Sequence, residues 1–356
     1  MKKKICFIIN TLLGGGAERV ISTLANEFCE EYDITILLLL NKEEIDYSLD
    51  KRVHIIQLPK FKNKLTKFIG ISKNLSHLMK ELNCDLYISF CTIENVMSLT
   101  ANLFAKKKLF ISERNAPKTE KNNMFIILLR KLLYSKAKGY IFQTEEAKNC
   151  YSMGIQKRSY VIANPLKPNL PLAQPNNNKM ICAVGRLNAQ KNYPLLLESF
   201  SEFLIHFPHY RLFIFGKGPQ ENSLRSMIHQ LNLESSVILK GFSNNVHEEI
   251  KTMDFFVMSS DYEGMPNALM EAMAMGLPCI STDCPSGGPR ALIENGVNGL
   301  LFPVQDKQAL VKQMSLLASD KKLRMSIAEN AKKVADNYSV STIIEEWKIL
   351  FHENIY

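Results

Sequence analysis

No apolar run in the 356-residue sequence approaches the ~18 residues that a membrane-spanning helix needs. The stretch Ile-Thr-Ile-Leu-Leu-Leu-Leu at 34–40 has only the length of a buried strand. Lys2, Lys3 and Lys4 ahead of Ile-Cys-Phe-Ile-Ile imitate a secretory leader, but Asn10 and Thr11 interrupt the run and a glycine cluster with Glu18 and Arg19 follows. A first strand of a parallel sheet, in a cytoplasmic chain, accounts for that start better. The eight cysteines include no C-x-x-C pair, and most sit beside Ile, Val, Phe or Ala. They read as small buried hydrophobes, which excludes a disulfide framework and a zinc knuckle. Pro208 between His206 and His209 spoils a helical ligand pair, so no metal and no cofactor is expected. Also missing are the dinucleotide fingerprint G-x-G-x-x-G and the phosphate-loop signature G-x-x-x-x-G-K-[ST].

What is present fits two α/β domains: 46% apolar and 22% charged residues in a chain too long for one core. Apolar strand-like runs at 5–9, 34–40, 53–58, 85–90, 109–112, 140–143 and 160–163 alternate with helical periodicity, which predicts a parallel sheet covered on both faces. Residues 165–178, with Pro165, Pro168, Pro171, Pro175 and a run of asparagines, sustain neither helix nor interior strand and read as an interdomain linker. A second alternating series has strands near 180–184, 211–215, 237–240, 255–258, 278–281 and 299–302, then helices near 306–318, 321–336 and 340–353. The expected organisation is a Rossmann-like domain at 1–164, the linker, a second Rossmann-like domain at 179–338, and a helix at 339–356 able to cross back to the first. Ligands in such sheets bind outside the carboxyl ends of the strands, here expected to face a central cleft.

Three segments at those ends carry chemistry. The first βα turn reads N-T-L-L-G-G-G-A-E-R, in which Gly15 and Gly16 open a helix. Glycine lets the backbone approach a ligand and a helix N-terminus offers unpaired N–H groups, yet a tight turn with no ligand explains the segment equally. In the second domain Arg186 and Lys191 flank the loop G-R-L-N-A-Q-K-N at 185–192. A planar fork and a mobile point charge suit a diphosphate; two solvated surface cations are the plainer alternative. Residues 261–282, DYEGMPNALMEAMAMGLPCIST, place Glu263 and Glu271 eight apart, about two helical turns. Gly264 and Pro266 start the helix, Met265 and Asn267 supply N–H groups at its beginning, and the rest is apolar enough to be buried. A buried carboxylate needs strong partners. A ribose diol, donating two hydroxyls, is one; backbone capping of a structural Glu is the other.

At this point the chain resembles the family-four retaining glycosyltransferases of GT-B fold. The pair Glu263–Glu271 within E-G-M-P-N-A-L-M-E is similar to their E-x7-E motif. The likeness extends to G-R-L-x-x-x-K-N at 185–192, G-K-G-P at 216–219, N-G-L-L-F-P at 298–303 and G-G-A-E at 15–18, and so spans nearly the whole chain. The resemblance implies a nucleotide sugar, with uridine the expected base, held mainly by the second domain. Arg186 and Lys191 would hold the diphosphate, Glu271 the ribose and Glu263 the transferred sugar, with Gly15, Gly16, Gly216 and residues 264–267 also on the donor. It implies an acceptor entering from the first domain near Glu18, Glu113 and Arg114, and catalysis without a metal; no D-x-D occurs. In two places the pattern differs: Arg114 stands where relatives place a histidine, and Ala291 where they often carry a Glu.

Residues 1–164 hold 26 Lys or Arg against 16 Asp or Glu, so the whole-chain surplus of +9 belongs to the first half. Two basic, acid-free segments contribute: 60–73, with Lys62, Lys64 and Lys67, and 121–138, with Arg130, Lys131, Lys136 and Lys138 around an apolar centre. They read either as amphipathic segments lying on an anionic bilayer or as helices packed on the sheet. A lipid diphosphate-linked or polysaccharide acceptor in bacterial surface-glycan synthesis fits the first reading, with the chain peripheral on the inner face of the membrane. A UDP-sugar 2-epimerase has a similar two-domain shape, and a nucleic-acid-binding protein would use the basic half. The latter is not expected, because aromatics do not interleave the cations.

Overall fold

The computed structural model describes residues 2–42, 44–60, 64–115, 124–174 and 177–356, with the backbone alone at 64–67. The chain divides into two compact units, Met1–Pro165 with Ser341–Tyr356, and Leu166–Val340. The first contains strands β1 (Lys4–Ile9), β2 (Asp33–Leu38), β3 (His54–Gln57), β4 (Leu86–Phe90), β5 (Leu109–Ser112), β6 (Gly139–Phe142) and β7 (Ser159–Val161). They form one parallel sheet in the order β3-β2-β1-β4-β5-β6-β7. The second contains β8 (Met180–Val184), β9 (Arg211–Phe215), β10 (Val237–Gly241), β11 (Phe255–Met258), β12 (Cys279–Thr282) and β13 (Leu300–Phe302), parallel in the order β10-β9-β8-β11-β12-β13. Both orders reverse direction beside their first strand. That switch point, between β1 and β4 and again between β8 and β11, is where the connecting loops diverge and leave a crevice at the carboxyl edge.

The central strands are apolar on both faces because helices cover both. Cys6 and Ile8 of β1 pack with Leu75 and Met79 of the Lys64–Leu82 helix and Val96 and Leu99 of the Thr92–Ala105 helix. Phe7 points the other way and meets the edge of Phe90, whose ring stacks on Trp347 at 6.2 Å. Trp347, the single tryptophan, is fully buried and belongs to the final helix, Val340–Ile355. On the same helix Phe351 meets Phe28 at 4.7 Å and Tyr32 at 5.5 Å. The C-terminal helix is therefore part of the N-terminal unit's core.

Two segments differ from the sequence-based expectation. The helix expected at 321–336 breaks into Lys321–Ala331 and Val334–Asn337. The proline-rich segment is tied down over most of its length. The Leu166, Ala173 and Gln174 N–H groups donate to the Tyr338, Met275 and Lys251 carbonyls at 2.7–2.8 Å. Prolines remove donors along it, and these three N–H groups find acceptors on the second unit, to which the segment belongs from Leu166 on. Pro175 and Asn176 lie outside the described residues.

Phe351→Ala should lower the unfolding free energy of the N-terminal unit by about 3–5 kcal/mol, the cost of an emptied aromatic site. Emission from the single tryptophan during urea unfolding reads the effect. A loss below about 1 kcal/mol would mean that the final helix is dispensable to this core.

Candidate active site

In the C-terminal unit the residues singled out above converge on the switch point between β8 and β11. The loop after β8 is anchored by buried Leu187, whose N–H donates to the Lys217 carbonyl at 3.0 Å. The Asn188 side chain receives the Lys191 N–H at 3.4 Å, closing a short 3-10 turn. Asn192, in the left-handed region at φ +44°, caps the Tyr193–Phe203 helix and starts it away from the sheet. This loop is stitched to the one after β11. The Asp261 N–H donates to the Gln190 carbonyl at 2.9 Å, and the Gln190 amide to the Tyr262 carbonyl at 2.9 Å. The Asn192 amide reaches Asp261 Oδ1 at 2.8 Å, and the Ser259 hydroxyl the Lys191 carbonyl at 2.9 Å. At the centre of this seam Lys191 Nζ meets Glu263 Oε1 at 2.5 Å, with side chains only 16% and 8% exposed.

Glu263 is held from behind as well. The Ser286 hydroxyl donates to its carbonyl, while Thr282 and Cys284 both donate to the Ser260 carbonyl. Burial, with the Glu263 charge contributing, raises the Tyr193 hydroxyl pKa, and burial pushes the Cys284 thiol up to about 12. Both neighbours of Glu263 are thus neutral donors. Gly288 completes the support, since a Cβ there would stand 1.6 Å from the Gly264 carbonyl oxygen. Pro266 sits just before the Asn267–Ala274 helix, as its N-cap, so Gly264, Met265 and Pro266 form the approach to the helix rather than its first turn.

Glu271, on that helix, is 6% exposed, and its Oε2 lies 2.7 Å from His247 Nε2. An ionised carboxylate only accepts, so Nε2 carries the proton of this bond. His247 belongs to the short Val246–Ile250 helix that follows β10. No sequence signal marks it, because one histidine in Asn-Val-His-Glu-Glu has no motif spacing. Between the Lys191–Glu263 and His247–Glu271 pairs, three neighbouring strands lead into glycine at their carboxyl ends: Gly185 after β8, Gly216 after β9 and Gly241 closing β10. Gly216 has φ +140°, and a Cβ on it would lie 1.9 Å from the Gly185 carbonyl oxygen. Its requirement for glycine comes from this backbone contact. Arg186 is exposed, and its side chain makes no hydrogen bond or ion pair among the described residues. A fork donor, a lysine and two fixed carboxylates around a side-chain-poor floor suit a polyanion that also carries hydroxyl groups.

The N-terminal unit has its own polar cluster at the carboxyl edge of its sheet. Gly15 precedes the Gly16–Phe28 helix, and its carbonyl accepts from the Tyr47 hydroxyl at 2.7 Å. A Cβ on Gly15 would meet Glu18 Oε2 at 2.0 Å, so Glu18 lies across its own helix start. Glu113, expected on the acceptor side, is turned into the unit's interior. It is 3% exposed and accepts from Thr92 and Asn95, each at 3.1 Å, and from the Tyr134 hydroxyl. The end of β5 turns it inward against the helix that begins at Thr92. Arg114 stacks over Phe90 at 4.6 Å and donates to Asn164 at 2.9 Å, and burial lowers its pKa to about 10, leaving it charged at neutral pH.

The basic segments also resolve differently from expectation. Arg130 is half-buried: its guanidinium lies over Tyr134 and Tyr151 and donates to the Tyr151 hydroxyl at 2.7 Å. Aromatic faces hold a weakly hydrated guanidinium better than water does. Lys131, Lys136 and Lys138 are exposed. Lys62 lies outside the described residues, and Lys64 and Lys67 begin a helix whose first side chains also lie outside them. Among the described residues no helix is long and apolar enough to cross a membrane, and no group of three or more His, Cys, Asp or Glu side chains is placed to hold a metal ion.

Two parallel sheets of this strand order, each with its polar cluster at the carboxyl edge, define the GT-B class. The structure of HepE from Anabaena in complex with UDP and glucose matches with a TM-score of 0.82 at 18% identity, over 98% of this chain and 99% of that one. Residues 171–334, nearly the whole of the C-terminal unit, match the family model of glycosyl transferases group 1, and the chain has the GT-B fold. A glycosyltransferase of Haemophilus influenzae is 28% identical over 98% of this chain and 99% of its own length. A Campylobacter jejuni enzyme, N-acetylgalactosamine-N,N'-diacetylbacillosaminyl-diphospho-undecaprenol 4-alpha-N-acetylgalactosaminyltransferase, is 28% identical over 93% of this chain and 94% of its own.

Lys191→Met, which strands Glu263 without its counter-charge, should destabilise the C-terminal unit by about 3 kcal/mol, and adding Glu263→Gln should recover more than half. Urea unfolding followed by far-ultraviolet circular dichroism measures both. Equal losses in the single and double variants would show that solvent, and not pairing, sets the cost.

Proposed function

We propose that the chain is a retaining glycosyltransferase that moves a hexosyl or N-acetylhexosaminyl group from a nucleotide sugar, most simply a UDP-sugar, to a lipid diphosphate-linked or polysaccharide acceptor in bacterial surface-glycan synthesis. The observation that carries this reading is the Lys191–Glu263 pair beside exposed Arg186 at the carboxyl edge of a group 1 sheet. UDP and glucose in the Anabaena structure support the donor, and the diphospho-undecaprenol substrate in the Campylobacter enzyme's name supports the acceptor. In this reading the diphosphate lies against Arg186 and Lys191, and Glu271 receives the ribose hydroxyls. As the sugar–phosphate bond breaks, negative charge grows on the departing oxygen, and fixed cations there lower the barrier without a metal. The acceptor hydroxyl approaches the face the diphosphate leaves, through an oxocarbenium-like state, so configuration is kept. Glu263, fixed by Lys191 and by its own anchored carbonyl, lies against the transferred sugar.

Thermal unfolding with UDP-, GDP- and ADP-sugars identifies the base, since a ligand at 100 times its dissociation constant adds about 2.7 kcal/mol. Arg186→Ala should reduce turnover by about a hundredfold while leaving stability within about 0.5 kcal/mol, as its side chain is exposed. Product resolved by NMR should carry the donor's anomeric configuration, and chelators should leave the rate unchanged. Inverted product, or activity restored only by a divalent ion, would refute the mechanism. Conversion of donor with no acceptor added would favour an epimerase instead.

The same proposal places the chain on an anionic bilayer through the Met124–Leu133 helix. Met124, Phe125, Leu128 and Leu132 are 52–77% exposed and share one side with exposed Lys131. Apolar side chains that insert and cations that meet acidic headgroups suit such a surface. Replacing Lys131, Lys136 and Lys138 with Gln should weaken binding to phosphatidylglycerol vesicles by about two orders of magnitude, at ~1 kcal/mol per cation. Phe125→Ser with Leu128→Ser should weaken it at every salt concentration. Parent-like vesicle binding by both variants would remove this helix from the interface.

A further inference from the structure

We infer that His247 is the positioning residue for the nucleoside end of the donor site: it fixes the Glu271 carboxylate so that this group can receive the two ribose hydroxyls. The inference rests on the reading of Glu271 as the ribose acceptor. Its own evidence is geometric. Glu271 and His247 are 6% and 7% exposed and meet at 2.7 Å, from the helix after β11 and the helix after β10. A free glutamate carboxylate rotates about its terminal torsion, and two cooperating hydroxyl donors need one plane. The imidazole N–H takes one lone pair of Oε2, which sets that plane, and an ionised carboxylate offers about four such sites, so one bond does not exhaust it.

The placement fits a nucleoside and not merely a buried ion pair. β10 and β11 are not neighbours; β9 and β8 lie between them in the sheet. The pair therefore bridges the two intervening strands at the same carboxyl edge that carries Arg186 and the Lys191–Glu263 pair, the edge proposed to hold the diphosphate. Holding a ligand-binding carboxylate by a fixed second partner is also the usual way a site attains its geometry before the ligand arrives.

The test compares UDP with 2′,3′-dideoxy-UDP by calorimetry in the full chain and in His247→Ala, His247→Gln, His247→Asn and Glu271→Ala. The parent should bind UDP at least about tenfold tighter than the dideoxy analogue, the worth of charge-assisted hydrogen bonds to the diol. Glu271→Ala should abolish that ratio. His247→Ala should shrink it to about threefold or less, and His247→Gln, whose amide nitrogen reaches the position of Nε2, should restore most of it. If the alanine variant does not fold, the Gln and Asn variants decide, because the shorter Asn amide leaves Oε2 without its donor. A merely structural histidine would weaken both ligands equally and leave the ratio unchanged, which overturns the inference. A parent with no preference for the diol, or a preference that survives Glu271→Ala, refutes the ribose reading itself. Under steady state the donor KM should rise in His247→Ala with kcat nearly constant, since a ribose contact is made equally in ground and transition states.

Discussion

The ion pair between Lys191 and Glu263 closes a seam on which the geometry of the C-terminal unit's site depends. Opposite charges at 2.5 Å, largely out of water, hold only where their neighbours offer the remaining hydrogen bonds. Here the neighbours are two loops that leave the sheet on either side of its switch point. Side chains of Gln190 and Ser259 bond backbone carbonyls across the gap and Asn192 bonds the Asp261 carboxylate, so the two charged groups are brought together by the loops and do not have to hold the loops together alone. A lysine so fixed is a preorganised cation; one on a solvated loop would first have to be ordered.

The approach of those loops depends in turn on glycine. At Gly216 and Gly288 any Cβ would overlap a carbonyl oxygen of the facing loop, at Gly185 and Gly264 respectively. These contacts let the backbone carry the close approach of the two loops. Glu271 meets His247 across the two intervening strands, β9 and β8.

The N-terminal unit follows a different logic, set by burial of its final helix. Trp347 closes the sheet face on which Phe7 and Phe90 sit, and the Arg114 guanidinium lies over Phe90 and, at 6.0 Å, over Trp347. The surplus charge of this half divides between two uses. Arg114 and Arg130 are held against aromatic rings and serve the fold, while Lys131, Lys136 and Lys138 remain in water.

The sequence alone determined the strands, the two α/β units and the clustering of Arg186, Lys191, Glu263 and Glu271 at strand ends. The reason is that parallel sheets impose a local pattern: buried runs, helical periods, and glycine or proline where the chain turns. It could not assign partners. Glu271 asked for a strong partner and local reasoning offered a ribose or its own backbone, whereas His247, 24 residues upstream, is brought to it only by crossing two strands. Arg130 and Lys131 are neighbours with the same charge, yet one turns onto Tyr151 and the other into solvent, because a helix of ten residues presents them to different sides. Glu113 directly follows β5, and packing turns it inward to Thr92, Asn95 and Tyr134. Local periodicity is written in neighbouring residues; which buried charge meets which is decided by strand order, and strand order is a property of the folded sheet.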